Sequence, residues 1–206
     1  LHYCGEEVYD IFDSFSNEKK GISADPEKIK TIVNMTPPKN VGELRSFLGM
    51  TQYVSRFIPR YTTLTEPLRK LTRKDVAWAW TTLEQQAYDD LKKALTSGQV
   101  MAYFDPKKHT EIIVDASPVG VGAILEQGGK IISYASRALT NVEQRYSQTD
   151  REMLAVVFGA EHFHLYLYGS TFTVYTDHKP LLGIVKSQKP TTARIERWRL
   201  RLMPYD

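Results

Sequence analysis

The sequence predicts a mixed α/β fold, in which a helical first half feeds a second half built on a sheet. Up to about residue 98, apolar residues recur every three or four positions, with prolines and short polar residues at the breaks. Beyond residue 104, β-branched runs separated by turn residues take over. In that second half, acids stand at the ends of the expected elements: Asp115, Glu152 and Asp177.

In the helical half, Asp25-Pro26-Glu27 supplies an N-cap, a proline at the first helical position and an acid at the positive helix end. That helix should stop before Pro37-Pro38. Asn40 and Glu43 form a capping-box pair for a second helix, with Leu44, Phe47, Leu48, Thr51, Val54 and Ile58 along one face and Pro59 ending it. A shorter helix is expected through Leu64, Leu68 and Leu71. Thr81 or Thr82 opens another, with Leu83, Ala87, Tyr88, Leu91, Ala94 and Leu95 inward and Gly98 at its end. Around Trp78 and Trp80 the alternation suggests a short extended segment whose indoles pack on helices. Residues 100–104 are another short apolar run, and Asp105-Pro106 begins a turn, so the domain boundary falls there.

In the sheet half, residues 110–116 read as a strand ending near Asp115. Residues 119–127 and 130–135 are two more, joined by Gly128-Gly129, which suit the positive φ of a tight hairpin. Three consecutive antiparallel strands follow from this. From Asp150, Met153, Leu154, Val156, Val157, Ala160, Phe163, Leu165, Tyr166 and Leu167 recur at helical spacing up to Gly169, which puts Glu152 in the first turn. Residues 172–176 form a short strand with Asp177 at its end. A short helix over 181–185, a loop over 187–190 and a helix over 192–203 close the chain; the last sets Ile195, Trp198, Leu200 and Leu202 among Arg194, Arg197, Arg199 and Arg201.

At 206 residues, 42% hydrophobic and 25% charged, the chain suffices for one large or two small domains. No apolar run approaches the roughly 18 residues of a membrane span, and no basic leader precedes an apolar core, so an intracellular protein with no membrane partner is expected. The single cysteine, Cys4, excludes an internal disulfide and a cysteine metal cluster.

Acids ending two strands and opening one helix can converge on hard divalent ions such as Mg²⁺ or Mn²⁺. Two such ions, roughly 3.5–4 Å apart, can activate water and stabilise the leaving oxygen in phosphodiester hydrolysis. Local readings stand beside this one. Glu152 can complete a capping box with Thr149, and Asp115 and Asp177 can each simply initiate a turn. His178, directly after Asp177, is a turn residue, a ligand or a proton shuttle. His162 and His164, two apart on a helix, point apart and make a poor ligand pair.

Four stretches, residues 112–125, 132–139, 146–157 and 175–181, strongly resemble the ribonuclease H domain of gypsy-like LTR retrotransposon polyproteins, in the same order. The resemblance implies a ribonuclease H-like fold over residues 105–206, divalent-metal-dependent cleavage of RNA in RNA–DNA hybrids, and Asp115, Glu152 and Asp177 as three of four metal-binding acids. The fourth belongs to a helix that, with the strand before it, would follow Asp206. On that basis the strand at 172–176 is expected to expose an edge open to aggregation or self-association. The stretch from Leu44 to Pro59 resembles the reverse transcriptase thumb and connection, giving a helical region over 21–104. Residues 1–20 resemble a piece of Gag, with Val8, Ile11, Phe12 and Phe15 at helical spacing. Polymerase fingers and palm would precede Gly21, yet no Tyr-x-Asp-Asp occurs, so a junction by deletion or misjoined coding segments near residue 20 is expected and polymerase activity is not.

Arg56, Arg60, Lys70 and Arg73, with Tyr53, Phe57 and Tyr61 interleaved, suit a nucleic-acid backbone, as do Arg194, Arg197 and Arg201 beside the acids. The same residues are equally readable as core aromatics and a solvated face. Two functions therefore remain open: a hybrid-cleaving enzyme, and an inactive remnant that at most binds nucleic acid or protein.

Overall fold

A computed structural model describes residues 2–3, 21–97, 100–186 and 192–205. The first of these is a two-residue strand, β1 (His2–Tyr3). The helical lobe comprises α1 (Pro26–Asn34), α2 (Val41–Tyr53), a 3-10 turn at Ser55–Phe57, α3 (Tyr61–Leu64), α4 (Glu66–Lys70) and α5 (Thr82–Thr96). Its starts are chemical. Asp25 accepts from the Glu27 amide at 3.0 Å, and Thr81 and Glu84 close a full capping box. Asn40 accepts from the Glu43 amide at 2.9 Å, while Glu43 reaches back one residue further than a standard box, to the Lys39 amide at 2.8 Å.

Leu44, Phe47, Val54, Ile58, Leu68 and Leu71 pack against Ala87, Tyr88, Leu91 and Leu95 in one core. The second helix breaks after Tyr53, earlier than its apolar stripe suggests, because the Val54 amide turns back to Thr51 at 3.2 Å. The expected helix through Leu64 and Leu68 is two short ones, with Pro67 in the first turn of the second. Leu83, expected inward, is 60% exposed. Trp78 and Trp80 pack on the helical core as expected; they stack at 5.8 Å, with Trp80 edge-on to Tyr88.

The sheet consists of β2 (Thr110–Ala116), β3 (Gly120–Gln127), β4 (Lys130–Ala138) and β5 (Phe172–Thr176), in the order β1-β5-β2-β3-β4. The β2–β3–β4 meander is antiparallel, and its tight turn uses Gly128 and Gly129 at φ 58° and 74°. β5 returns parallel to β2 after α6 (Gln148–His162) and α7 (His164–Leu167). The single helix expected there breaks at Phe163, and Leu165, expected to be in the apolar stripe, is 94% exposed. α8 (Pro180–Lys186) and α9 (Ala193–Leu202) follow.

Alternation sorts the strand residues to two faces. Ile112, Val114, Ala123 and Leu125 join Met153, Val156 and Val157 of α6 in the main core, whereas Ile113, Ile124, Ile131 and Tyr134 pack with Met101 and the half-buried Phe57. Both faces are therefore covered, the second partly by the helical lobe. That seam is tight. The Thr62 amide and hydroxyl both donate to Ser136 Oγ, at 3.2 and 3.0 Å. A Cβ on Gly120 would lie 2.9 Å from the Thr62 methyl, so the close approach needs glycine. Ile22 bridges Met101, and the Ala102 amide donates to the Ile131 carbonyl at 2.8 Å.

Two expectations change at the sheet edge. β1 pairs parallel to β5, His2 opposite Tyr175 and Tyr3 opposite Thr176, so the edge expected to be open along 172–176 is taken at its last two residues. The N-terminal stretch expected to be helical thus begins with strand at His2–Tyr3, while Cys4, Val8, Ile11, Phe12 and Phe15 lie outside the described residues, as do Gly98 and the loop at 187–190.

Candidate metal centre

Parallel pairing of β2 and β5 sets Val114 opposite Thr176, so the residues that follow, Asp115 and Asp177, emerge side by side at one end of the sheet. The N-terminal part of α6 brings Glu152 to the same point. One carboxylate oxygen of each lies within 4.8 Å of the others. Ser147, not Thr149, caps α6, accepting from the Asp150 amide at 3.1 Å, which moves Glu152 into the second turn and removes the Thr149–Glu152 capping box. Thr149 instead meets His178, Oγ1 to Nε2 at 3.0 Å.

Glu152 is buried, at 1% exposure. Gln148, one helical turn earlier, donates to its Oε1; Oε2 is buried without a hydrogen-bond partner. Desolvation first, then the charges of Asp177 and Asp115, push its pKa up to about 8, against smaller opposing effects from Gln148 and Arg151. Asp115 is open to solvent on one side but shares the predicament. Desolvation and Asp177 raise its pKa, while the Ala116 amide and the Arg60 charge pull it down. Anionic oxygens crowded together with one acceptor unfilled fit a hard divalent cation, which would satisfy the orphaned oxygen and offset the repulsion.

The family described as the RNase H-like domain found in reverse transcriptase matches residues 105–205. Residues 105–205 are an RNase H-like domain of that family. The Tf2-3 and Tf2-4 transposon polyproteins of Schizosaccharomyces pombe (strain 972 / ATCC 24843) are each 36% identical over 203 residues; the match spans 95% of this chain but only 15% of each polyprotein. Among solved structures, a foamy viral protease-reverse transcriptase in complex with RNA/DNA hybrid aligns with 87% of this chain and 26% of its own, at TM-score 0.72 and 21% identity. A second, in complex with double-stranded DNA, aligns with 88% of this chain and 34% of its own at TM-score 0.72 and 23% identity, so the helical lobe shares that fold together with the RNase H-like domain.

The expected basic residues do not form one surface. Lys70 pairs with Glu66 at 2.8 Å, and Arg56 lies over the Phe57 ring at 5.4 Å. Arg73 is exposed, and Arg197 donates to the Ala193 carbonyl of its own helix. Arg194 holds Asp150 at 2.8 Å and stacks on Tyr146 at 3.7 Å; Arg201 holds Glu161 at 2.7 Å. Arg60 alone of the seven lines the cavity that Asp115 and Asp177 line. Of the interleaved aromatics, Tyr61 is core, its hydroxyl bonded to Thr51 at 2.8 Å, whereas Tyr53 is exposed. Sequence reasoning missed Gln148 as the support of Glu152 and Thr149 as the partner of His178. The Ser147-x-x-Asp150 spacing was a usable signal, because it sets the start of α6 and hence which residues face Glu152.

Proposed function

We propose that the chain is the thumb and ribonuclease H portion of a retrotransposon polyprotein, and that Asp115, Glu152 and Asp177 bind a divalent cation, Mg²⁺ or Mn²⁺, for cleavage of RNA in an RNA–DNA hybrid. The observation that carries this reading is the buried, unpartnered Oε2 of Glu152 in a cluster of three carboxylates. An unsatisfied buried acceptor costs about 1–3 kcal/mol, which a cation bound there would offset.

A bound ion would supply water activation and stabilisation of the leaving oxygen. The chain's own residues do the rest. Gln148 fixes one oxygen of Glu152, so that the other would be the one to meet an ion, and Asp115 and Asp177 would supply the more accessible ligands. His178, held by Thr149 beside Asp177, is placed to take or return a proton at the edge of the site. The hybrid bound by the foamy viral neighbour supports an RNA–DNA hybrid as the substrate class. Polymerase chemistry is not part of the proposal, because the sequence has no Tyr-x-Asp-Asp. The edge of β5 at residues 172–174 supports strand addition by a second copy as a subsidiary partner.

The test is cleavage of an end-labelled RNA–DNA hybrid by the purified chain with Mg²⁺ or Mn²⁺, beside Asp115→Asn. Metal-dependent cutting abolished by the substitution is expected. Hybrid binding that is indifferent to metal, without cutting, would overturn the enzyme reading in favour of a binding module.

A further inference from the structure

Gln148 ties the acid on the helix to the strand that carries Asp115. Its Nε2 donates to Glu152 Oε1 and, at 3.4 Å, to the carbonyl of Ala116, the last residue of β2. Its Oε1 accepts from the Arg151 guanidinium at 2.6 Å. Arg151 and Glu152 both lie one helical turn on from Gln148, on the two rows where helical side chains meet.

Each of these contacts has a chemical direction. The donor and acceptor ends of a primary amide differ little in shape, so packing alone does not choose between its two orientations. Reversed, the Gln148 amide would set its oxygen against the Ala116 carbonyl and against the carboxylate that a cation requires. A guanidinium has only N–H donors, so Arg151 can bind the oxygen end and no other. Arg151 thereby fixes which end of Gln148 faces the acid.

The position is unfavourable for a cation in other respects. Arg151 stands in the first turn of α6, where the positive helix end disfavours positive charge, and its Nε is buried without a hydrogen-bond partner. Against this, its bond to Gln148 is charge-assisted, a class roughly twice as strong as a bond between neutral groups. The Arg151 charge also acts directly on Glu152, an effect smaller than that of the Gln148 hydrogen bond. The two routes from Arg151 to the acid are separable, because only one of them passes through the amide.

We propose that Arg151 is a positioning residue of the metal centre: it holds the Gln148 amide with its N–H end toward Glu152, so that the carboxylate is set in advance to offer its other oxygen to a divalent cation. This rests on the metal-binding reading above. Partners that orient a metal ligand in this way are typically worth about 10- to 100-fold in ion affinity.

The test is Mn²⁺ binding by the purified whole chain without nucleic acid, read from the free-ion electron paramagnetic resonance signal, with circular dichroism and metal-free melting alongside. Arg151→Met removes every donor and keeps the apolar length of the stem. The expected result is an unchanged fold and metal-free melting temperature, with a Kd raised about tenfold. Arg151→Lys keeps a charged donor for Gln148 Oε1 and should recover most of that affinity. In a Gln148→Ala chain, adding Arg151→Met should change Kd by less than about twofold, because the amide through which Arg151 acts is gone. Three results would overturn the role of Arg151 and leave the metal reading standing: a wild-type Kd in Arg151→Met, a lysine variant as weak as the methionine one, or a full loss persisting in the Gln148→Ala background, as charge alone would give. A weaker Kd that comes with a lower metal-free melting temperature makes Arg151 a structural residue of α6 and overturns the role equally. A wild-type chain that binds Mn²⁺ no better than Asp115→Asn overturns the metal centre itself, and Arg151 with it.

Discussion

In the helical lobe, the buried hydroxyl of Tyr61 meets Thr51 at 2.8 Å, Tyr88 donates to the Met35 carbonyl at 2.6 Å, and buried Glu84 accepts from the Thr81 amide at 2.9 Å. In the RNase H-like domain, Glu152 is equally buried, yet one of its oxygens has no partner and its charged neighbours include two acids. One lobe closes these polar groups within itself and gains stability from doing so. The other leaves an acceptor open at the point where distant stretches of chain meet. The contrast separates residues that hold the fold from residues the fold holds in readiness, and substitutions in the two classes should change stability in opposite directions.

The largest effect is expected where only packing is at stake. Phe47 is fully buried, 4.7 Å from the Tyr88 ring. Phe47→Ala should cost about 3–5 kcal/mol in urea denaturation of the whole chain. A cost below about 1 kcal/mol would mean that the lobe is not closed as described.

At the centre itself, Asp115→Asn should lower metal-dependent cleavage by about a hundredfold or more, since even supports of metal ligands cost 10- to 100-fold. Its melting temperature without divalent ions should hold or rise. A fall in both would place Asp115 with the structural residues and erase the contrast.

Glu152 sharpens the comparison through pH. The folded chain holds a proton on Glu152 up to about pH 8, whereas the unfolded chain loses it near the ordinary 4.5. Between those values the folded state binds more protons than the unfolded one, so stability falls as pH rises and levels off above about 8. Glu152→Gln should flatten that dependence and raise stability near pH 8, by roughly 2 kcal/mol once relaxation around the buried group is allowed for. Mg²⁺ must displace the same proton, so its stabilisation of the wild type should grow with pH over that range. Melting curves from pH 5 to 8.5, with and without Mg²⁺, check both. A wild-type slope unchanged by the substitution would remove Glu152 as its source.

The same division explains what the sequence disclosed. Caps at Asp25, Asn40 and Thr81 were legible because their partners lie two or three residues away. The meander was legible from Gly128-Gly129 and alternation. Spacing alone could not bring Asp115 to Asp177, because the parallel pairing of β2 with β5 joins strands on either side of α6; resemblance supplied it. Spacing could not show for a similar reason that Arg194 and Arg201 meet Asp150 and Glu161, at separations of 44 and 40 residues. Leu83 and Leu165 kept the helical period yet stayed exposed, because periodicity defines a face and not what covers it.

The smallest expected effect falls on the boundary between the two classes. Arg60 lies in the helical lobe, but its left-handed backbone is a local cost that an ordinary packing residue would not retain. Arg60→Gly removes the Cβ clash of that conformation, worth about 1–2 kcal/mol, and adds back the entropy that glycine loses on folding, about 0.5–1 kcal/mol. The balance should be a gain of under about 1 kcal/mol, read in the same urea titration as Phe47→Ala. A gain, however small, would group Arg60 with Glu152 as a residue whose replacement relieves the fold. A loss would show that the guanidinium stabilises the seam, and the line between the two lobes' strategies would then run along the edge of the cavity instead of through Arg60.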